Sequence, residues 1–253
     1  MGEHMLLIEQ IFLVGIDEKS KKIFLNREDF LFYGAIMMDL LLLDKISIEK
    51  DLDPDRKSTT TSLKIKILNT DSTDNTVLDK MLNFLEINSG KDTLTEILVQ
   101  FTKRSNFSDF RKVIISKLES LGFIKYLGKK RLQRRYQITE PALKAKILNE
   151  IDAVLFDNQE PTKELLFLLS LLRIQYNIRR LIPKKLIRIA EERLYNLLFN
   201  ELIGLVIQGV IDDMNASFRA KYYPSEERGS GRSTWPRYLC CGSNSKLDLN
   251  LRS

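Results

Sequence analysis

The sequence predicts a mainly α-helical protein: a single compact helical domain with small β-hairpins, one of them basic and preceded by a winged-helix-like helix. Two observations predict this class. Most apolar residues recur at helical spacing, and a few short stretches alternate between apolar and polar residues. The composition agrees, because 43% hydrophobic and 29% charged residues are typical of a globular chain. With 253 residues the chain can bury a substantial core.

The predicted helices begin and end at recognisable residues. Gly15 and Gly122 follow apolar periodic stretches and are typical helix stops, whereas a proline such as Pro141 is tolerated in a first turn. Glu9 and Asp39 lie within apolar helices, where we expect salt bridges or helix-edge positions. Helices are expected at 6–14, 27–43, 77–87, 93–102, 107–121, 141–156, 161–173 and 185–211.

Short alternating stretches predict the hairpins. The clearest is SLKIKIL, in which Leu63, Ile65 and Ile67 lie on one side of an extended chain. Strands are expected at 22–25, 46–51, 62–68, 123–127 and 132–138, the last two joined by a turn at 128–131.

The chain divides into three predicted parts. Residues 1–4 look like a cloning remnant, residues 5–213 form the domain, and residues 214–253 are expected to be a disordered or vector-derived tail. From position 216 onward there are seven basic and three acidic residues, so the tail carries +4 of the net charge of +6. The predicted domain itself is close to neutral, and an anionic partner would have to meet a local basic patch.

The amino-acid composition excludes several classes of catalytic and metal site. The single histidine, His4, stands in the predicted remnant, which excludes a histidine-based triad or zinc site. The two cysteines, Cys240 and Cys241, are adjacent near the C-terminus and cannot staple a fold. No glycine-rich phosphate loop is present. We therefore expect a binding protein without enzymatic activity, cofactor or metal.

Neither a signal peptide nor a membrane span is predicted. No apolar run reaches the roughly 18–20 residues that a transmembrane helix needs, and the apolar N-terminal stretch lacks a basic leader and a small-residue cleavage site. The expected location is the cytoplasm.

The most informative local feature is the helix at 107–121 and the basic hairpin after it. Between positions 121 and 139 there are six basic residues and no acidic one. Such a hairpin could meet the phosphates of nucleic acid, as the wing of a winged helix does, or those of lipid headgroups. A third interpretation is a solvated hairpin that only closes the domain.

Four segments resemble, in order, those of a known family. EQIFLVGID, GAIMMDLLLLDKISI, TDNTVLDKML and KLESLGFIKY are similar to successive motifs of the Golgi phosphoprotein 3 family, and their order and spacing agree from about position 5 to 211. The resemblance is to a compact, prokaryotic-type relative. It implies a helical domain with a protruding β-hairpin.

The resemblance also implies a function. Eukaryotic members are peripheral membrane adaptors that bind phosphatidylinositol 4-phosphate on the Golgi and hold glycosyltransferases through their cytosolic tails. Partners expected for this chain are anionic membrane lipid, cytosolic tails of membrane proteins, and a second copy bound through the hairpin. A winged-helix nucleic-acid-binding protein is the alternative.

Site residues follow from the family's lipid pocket, position by position. Phe24 stands where the family has a tryptophan, Tyr33 where it has an arginine, and Ser108 and Arg111 where it has an arginine pair. Only Arg111 keeps the charge. The expected membrane-facing cations of the hairpin are Lys129, Lys130, Arg131 and Arg134.

Overall fold

The computed structural model describes residues 5–50, 63–89, 94–130 and 133–199, and in this part of the chain the fold is mainly α, as predicted. The α-helices are α1 Leu7–Gly15, α2 Glu28–Leu42, α3 Thr76–Ile87, α4 Leu94–Phe101, α5 Arg104–Ser120, α6 Pro141–Phe156, α7 Lys163–Arg173 and α8 Ile187–Phe199. Three antiparallel pairs of strands accompany them: β1 Ile16–Asp17 with β2 Lys22–Ile23, β3 Ile46–Lys50 with β4 Leu63–Ile67, and β5 Ile124–Lys130 with β6 Gln133–Ile138. Two 3-10 helices, Ile174–Arg180 and Lys184–Leu186, lie between α7 and α8.

Three helices, α1, α2 and α7, form the centre of the fold and contact one another. From Ile11 to Val14 every side chain of α1 is completely buried, and Gly34 of α2 is buried as well. A helix that is apolar on all sides is stable only when other elements surround it. Here α3, α4 and α5 pack on one part of this centre, and α6 and α8 on another. No described helix is both long and apolar enough to cross a membrane.

The N-terminus of α1 is capped by a carboxylate from α2. Asp39 accepts the N–H of Leu7 through Oδ1 at 2.9 Å and the N–H of Ile8 through Oδ2 at 3.2 Å. Within α1, Glu9 Oε2 accepts the N–H of Leu6 at 3.0 Å. The first N–H groups of a helix have no partner inside the helix, so these bonds satisfy donors that would otherwise be buried and unpaired. Of the two alternatives expected for Asp39, a salt bridge or a helix-edge position, the structure shows the second: Asp39 lies in the last turn of α2 and binds backbone N–H groups.

Within the described residues, the predicted helix boundaries lie within two residues of the observed ones, except at the start of α5. Helix α5 begins at Arg104 and not at 107. The prediction missed its first turn because that turn is mostly polar and largely exposed, and so carries no apolar period. The helix expected at 185–211 starts as the 3-10 helix Lys184–Leu186 and continues as α8. Positions beyond 199, including the predicted tail at 214–253, lie outside the described residues, as do residues 1–4.

The connection from α5 to the basic hairpin is tightly hydrogen-bonded. Gly122 has a φ of 71°, and its N–H donates to the carbonyl of Glu119 at 3.0 Å. The N–H of Phe123 donates to the carbonyl of Leu118, also at 3.0 Å, which completes a Schellman ending. This confirms Gly122 as the helix stop and fixes the direction in which the hairpin leaves the helix.

The turn predicted at 128–131 was wrong for its first three residues. Strand β5 continues through Lys130, and the pairing register shifts between Tyr126 and Lys129. Gly128 lies at this shift with a φ of 83°, a conformation that glycine adopts without steric cost. The glycine therefore makes a bulge inside the strand and does not form the turn. Arg131 lies outside the described residues.

Candidate functional site

Arg111 is the one arginine that the resemblance retains in the predicted pocket, and the structure gives it two partners. Its Nη1 lies 2.8 Å from Glu28 Oε2, and its Nη2 donates to the Tyr136 hydroxyl at 3.4 Å. The side chains of Arg111 and Glu28 are only 17% and 20% exposed. Helix α5 supplies the arginine, the first turn of α2 the glutamate, and strand β6 the tyrosine. We call these three residues the Arg111 cluster.

The charge of Arg111 is already compensated in the free protein. Burial raises the pKa of the Glu28 carboxyl above its usual value, while the guanidinium of Arg111 and, more weakly, that of Arg134 act in the opposite direction. Glu28 Oε2 and Arg111 Nε are both buried and have no hydrogen-bond partner among the described residues. The 2.8 Å contact is thus an ion pair that lacks hydrogen-bond geometry, and the cluster retains unused hydrogen-bonding capacity.

Phe24 is half-buried and belongs to a different set of contacts. Its N–H donates to the carbonyl of Gly15 at 2.9 Å, and its carbonyl accepts from Arg180 Nη1. Arg180 also donates through Nη2 to Asn26 Oδ1 at 2.9 Å. Sequence reasoning missed Arg180 as a neighbour of Phe24. It stands far along the chain in a 3-10 helix, and no local motif connects the two positions.

Tyr33 is completely buried in the centre of the fold. Its ring packs against Phe101 with centroids 5.3 Å apart, and burial raises the pKa of its hydroxyl above the usual value. In this conformation Tyr33 therefore exposes no side-chain atom to make the expected contact with a headgroup. Ser108 is half-buried on α5, three residues before Arg111 and on the same side of that helix.

The described hairpin cations fall on its two faces. Lys129 pairs with Arg134 across the strands, and Lys130 pairs with Gln133. Because side chains alternate along a strand, Arg134 shares a face with Tyr136, whereas Arg135 shares a face with Gln133. Lys129 and Lys130 are exposed, and Arg134 is half-buried. The Tyr136 face is anchored to the core, since that ring meets Phe12 edge-on at 5.1 Å.

Comparison with known proteins bears on the whole described fold. The family model of Golgi phosphoprotein 3 (GPP34) matches residues 7–197, from the start of α1 to two residues before the end of α8. No curated protein matched the chain.

Proposed function

Since the chain belongs to the Golgi phosphoprotein 3 (GPP34) family, we propose that it is a non-enzymatic peripheral membrane protein that binds anionic phospholipid headgroups. The family match is the observation that carries the proposal, because it covers residues 7–197 and the family is one of non-enzymatic adaptors. As an adaptor, the protein would hold the cytosolic tails of membrane proteins next to the lipid surface.

The basic hairpin would supply the attraction to the membrane. From Ile124 to Ile138 the sequence holds six basic residues and no acidic one. A basic residue near an anionic surface contributes about 1 kcal/mol, so several together give reversible binding. Leu127 is 40% exposed on the same hairpin and would enter the headgroup region between the cations. Such binding weakens as salt screens the charges.

Arg111 would contact the headgroup phosphate in exchange for Glu28. A phosphate is a stronger acceptor for a guanidinium than a carboxylate held without hydrogen-bond geometry. The exposed part of the Arg111 cluster and the half-buried Ser108 on the same side of α5 would line this contact. Phe24 would pack at the boundary between headgroup and acyl chain. Arg180, which donates to the Phe24 carbonyl, would add a cation there.

Charge reversal on the hairpin tests this proposal. Lys125 and Lys129 are exposed on β5, so Lys125→Glu with Lys129→Glu changes the surface charge without removing a buried contact. In co-sedimentation with phosphatidylcholine vesicles containing phosphatidylserine, we expect at least about fivefold weaker binding than for the unchanged chain. The control is Lys163→Glu with Lys184→Glu, two exposed lysines outside the hairpin and an identical change in net charge.

Two results would contradict the proposal. Equal losses in the hairpin variant and in the control would mean that net charge alone, and not the hairpin, drives binding. If the chain does not bind the vesicles but binds duplex DNA tightly and in a salt-sensitive way, the nucleic-acid interpretation would be favoured.

A further inference from the structure

A basic groove of about 410 Å³ lies between the β1–β2 turn and the hairpin. The N–H of Tyr136 donates to the carbonyl of Lys21 at 2.7 Å, which fixes the hairpin against the turn. Lys21 has a φ of 62°, an uncommon conformation for a residue with a side chain, so the turn is held in a specific shape. The groove is lined by Lys19, Ser20, Lys22, Lys130, Gln133 and Arg135.

The groove is separate from the Arg111 cluster. Its hairpin side consists of Lys130, Gln133 and Arg135, which the strand register places on the face opposite Tyr136. Arg111 and Glu28 lie on the Tyr136 side. The groove cations and Arg111 therefore lie on opposite sides of the hairpin.

Four of the six lining residues are cations and none is acidic. Two acidic residues precede the turn: Asp17, which lies opposite Lys22 in the β1–β2 register, and Glu18. Asp17 accepts the N–H groups of Lys19 at 3.3 Å and Ser20 at 3.0 Å, and Glu18 lies 3.7 Å from Lys144 Nζ. Among the described residues, none of the four cations forms an ion pair. Like charges around one concave surface repel one another, so a bound anion would stabilise this arrangement.

We propose that this groove binds a multiply charged phosphate-bearing anion. Arg135 offers a planar fork of donors that matches phosphate oxygens, and the three lysines supply point charges. Ser20 and Gln133 add neutral donors that would favour a defined geometry over simple charge attraction. A phosphorylated lipid headgroup and a free phosphorylated molecule share this chemistry. The site goes beyond the proposed function, because it needs neither the Arg111 cluster nor a membrane.

The first test is calorimetric titration of the full chain with inositol 1,4-bisphosphate, a soluble phosphomonoester. We expect saturable binding that weakens at least about tenfold in Lys22→Gln with Arg135→Gln. Lys19→Gln with Lys130→Gln, which changes two exposed positions, is a second groove variant that should weaken binding similarly. The matched control, Lys163→Gln with Lys184→Gln, removes the same charge at two exposed lysines outside the hairpin and the groove and should stay within about twofold. Absence of saturable binding, or equal losses in groove variants and control, would overturn the proposal.

The second arm identifies the source of the phosphate. Vesicles containing phosphatidylinositol 4-phosphate are compared with phosphatidylserine vesicles of equal charge, using the unchanged chain and the groove variant. A preference for the phosphoinositide that disappears in the variant supports the groove as a headgroup site. Unchanged vesicle binding together with weakened soluble binding supports a free phosphorylated ligand. A chain that saturates with the soluble probe but binds no vesicle would refute the proposed membrane function and support the groove.

Discussion

Asp39 illustrates how one residue can join two elements. Its carboxylate lies in the apolar centre, where burial raises its pKa from 3.8 to about 7, although two backbone hydrogen bonds act in the opposite direction. The charged form is thus disfavoured by desolvation even as it caps α1. Because the pKa of Asp39 is higher in the folded protein than in the unfolded chain, the free energy of unfolding depends on pH.

The sign of the dependence follows from the raised pKa. The native carboxyl binds its proton more tightly than the unfolded one, so its contribution to stability is complete below about pH 4 and is lost as pH rises through about 7. We predict that the free energy of unfolding, relative to Asp39→Asn, falls by on the order of 4 kcal/mol between pH 4 and pH 8. Urea denaturation of both proteins over this range measures it. Parallel pH profiles would contradict the account.

The Arg111–Glu28 pair leads to a prediction of opposite effects. Glu28→Gln removes the charge that compensates Arg111 and should strengthen binding to vesicles containing phosphatidylinositol 4-phosphate several-fold. Arg111→Gln should weaken that binding about tenfold, because it removes a charged hydrogen bond to phosphate. Asp109→Asn is the matched control for the first variant, since it makes the same charge change on an exposed pair with Lys112. Equal gains from Glu28→Gln and Asp109→Asn would show that Arg111 does not contact the lipid.

At the scale of elements, Gly15 ends α1 for a reason that the sequence hides. A helix-ending glycine usually has a positive φ, as Gly122 does, but among the described glycines only Gly122 and Gly128 have one. A Cβ at Gly15 would lie 2.5 Å from Leu25 Cδ1 and 2.8 Å from its Cγ. Gly15 is therefore required by close packing between the end of α1 and the segment that follows β2.

This packing predicts a coupled pair of substitutions. Gly15→Ala should destabilise the fold by about 1–3 kcal/mol, because the buried Leu25 would have to move. In a Leu25→Ala background the same change should cost much less. A double-mutant cycle from urea denaturation measures the coupling. Strictly additive effects would mean that Leu25 is not the obstacle.

The hairpin shows which features of an element can be predicted from sequence. Its strands are predicted by the alternation of apolar and polar residues, and its basic character by the composition. The glycine that ends the preceding helix is predicted because the apolar period stops there. The bulge at Gly128 does not, because a glycine among lysines is equally typical of a turn. Pairing register depends on which side chains meet the core, here Tyr136 against Phe12, and that contact is made between distant segments.

At the scale of the whole molecule, the order and type of the helices were predictable because their apolar periods are long. The burial of Tyr33 was not, since α2 is apolar on every side and its pattern does not distinguish an exposed position from a central one. Two features depend on contacts between segments far apart in sequence. These are the pairing of Arg111 with Glu28 and the position of Lys22 and Arg135 in the same groove. Local patterns carry no record of such contacts.

Flotation of the full chain with three kinds of vesicle tests whether the protein binds anionic membrane. The vesicles are phosphatidylcholine alone, and phosphatidylcholine with equal charge from phosphatidylserine or phosphatidylinositol 4-phosphate. A chain truncated after Asn215 is run alongside, because the segment beyond it carries a charge of +4. Both chains should float with the two anionic vesicles, less so as salt is raised, and not with the neutral ones. Failure to float with either anionic vesicle, or equal flotation with neutral vesicles, would contradict the proposed function.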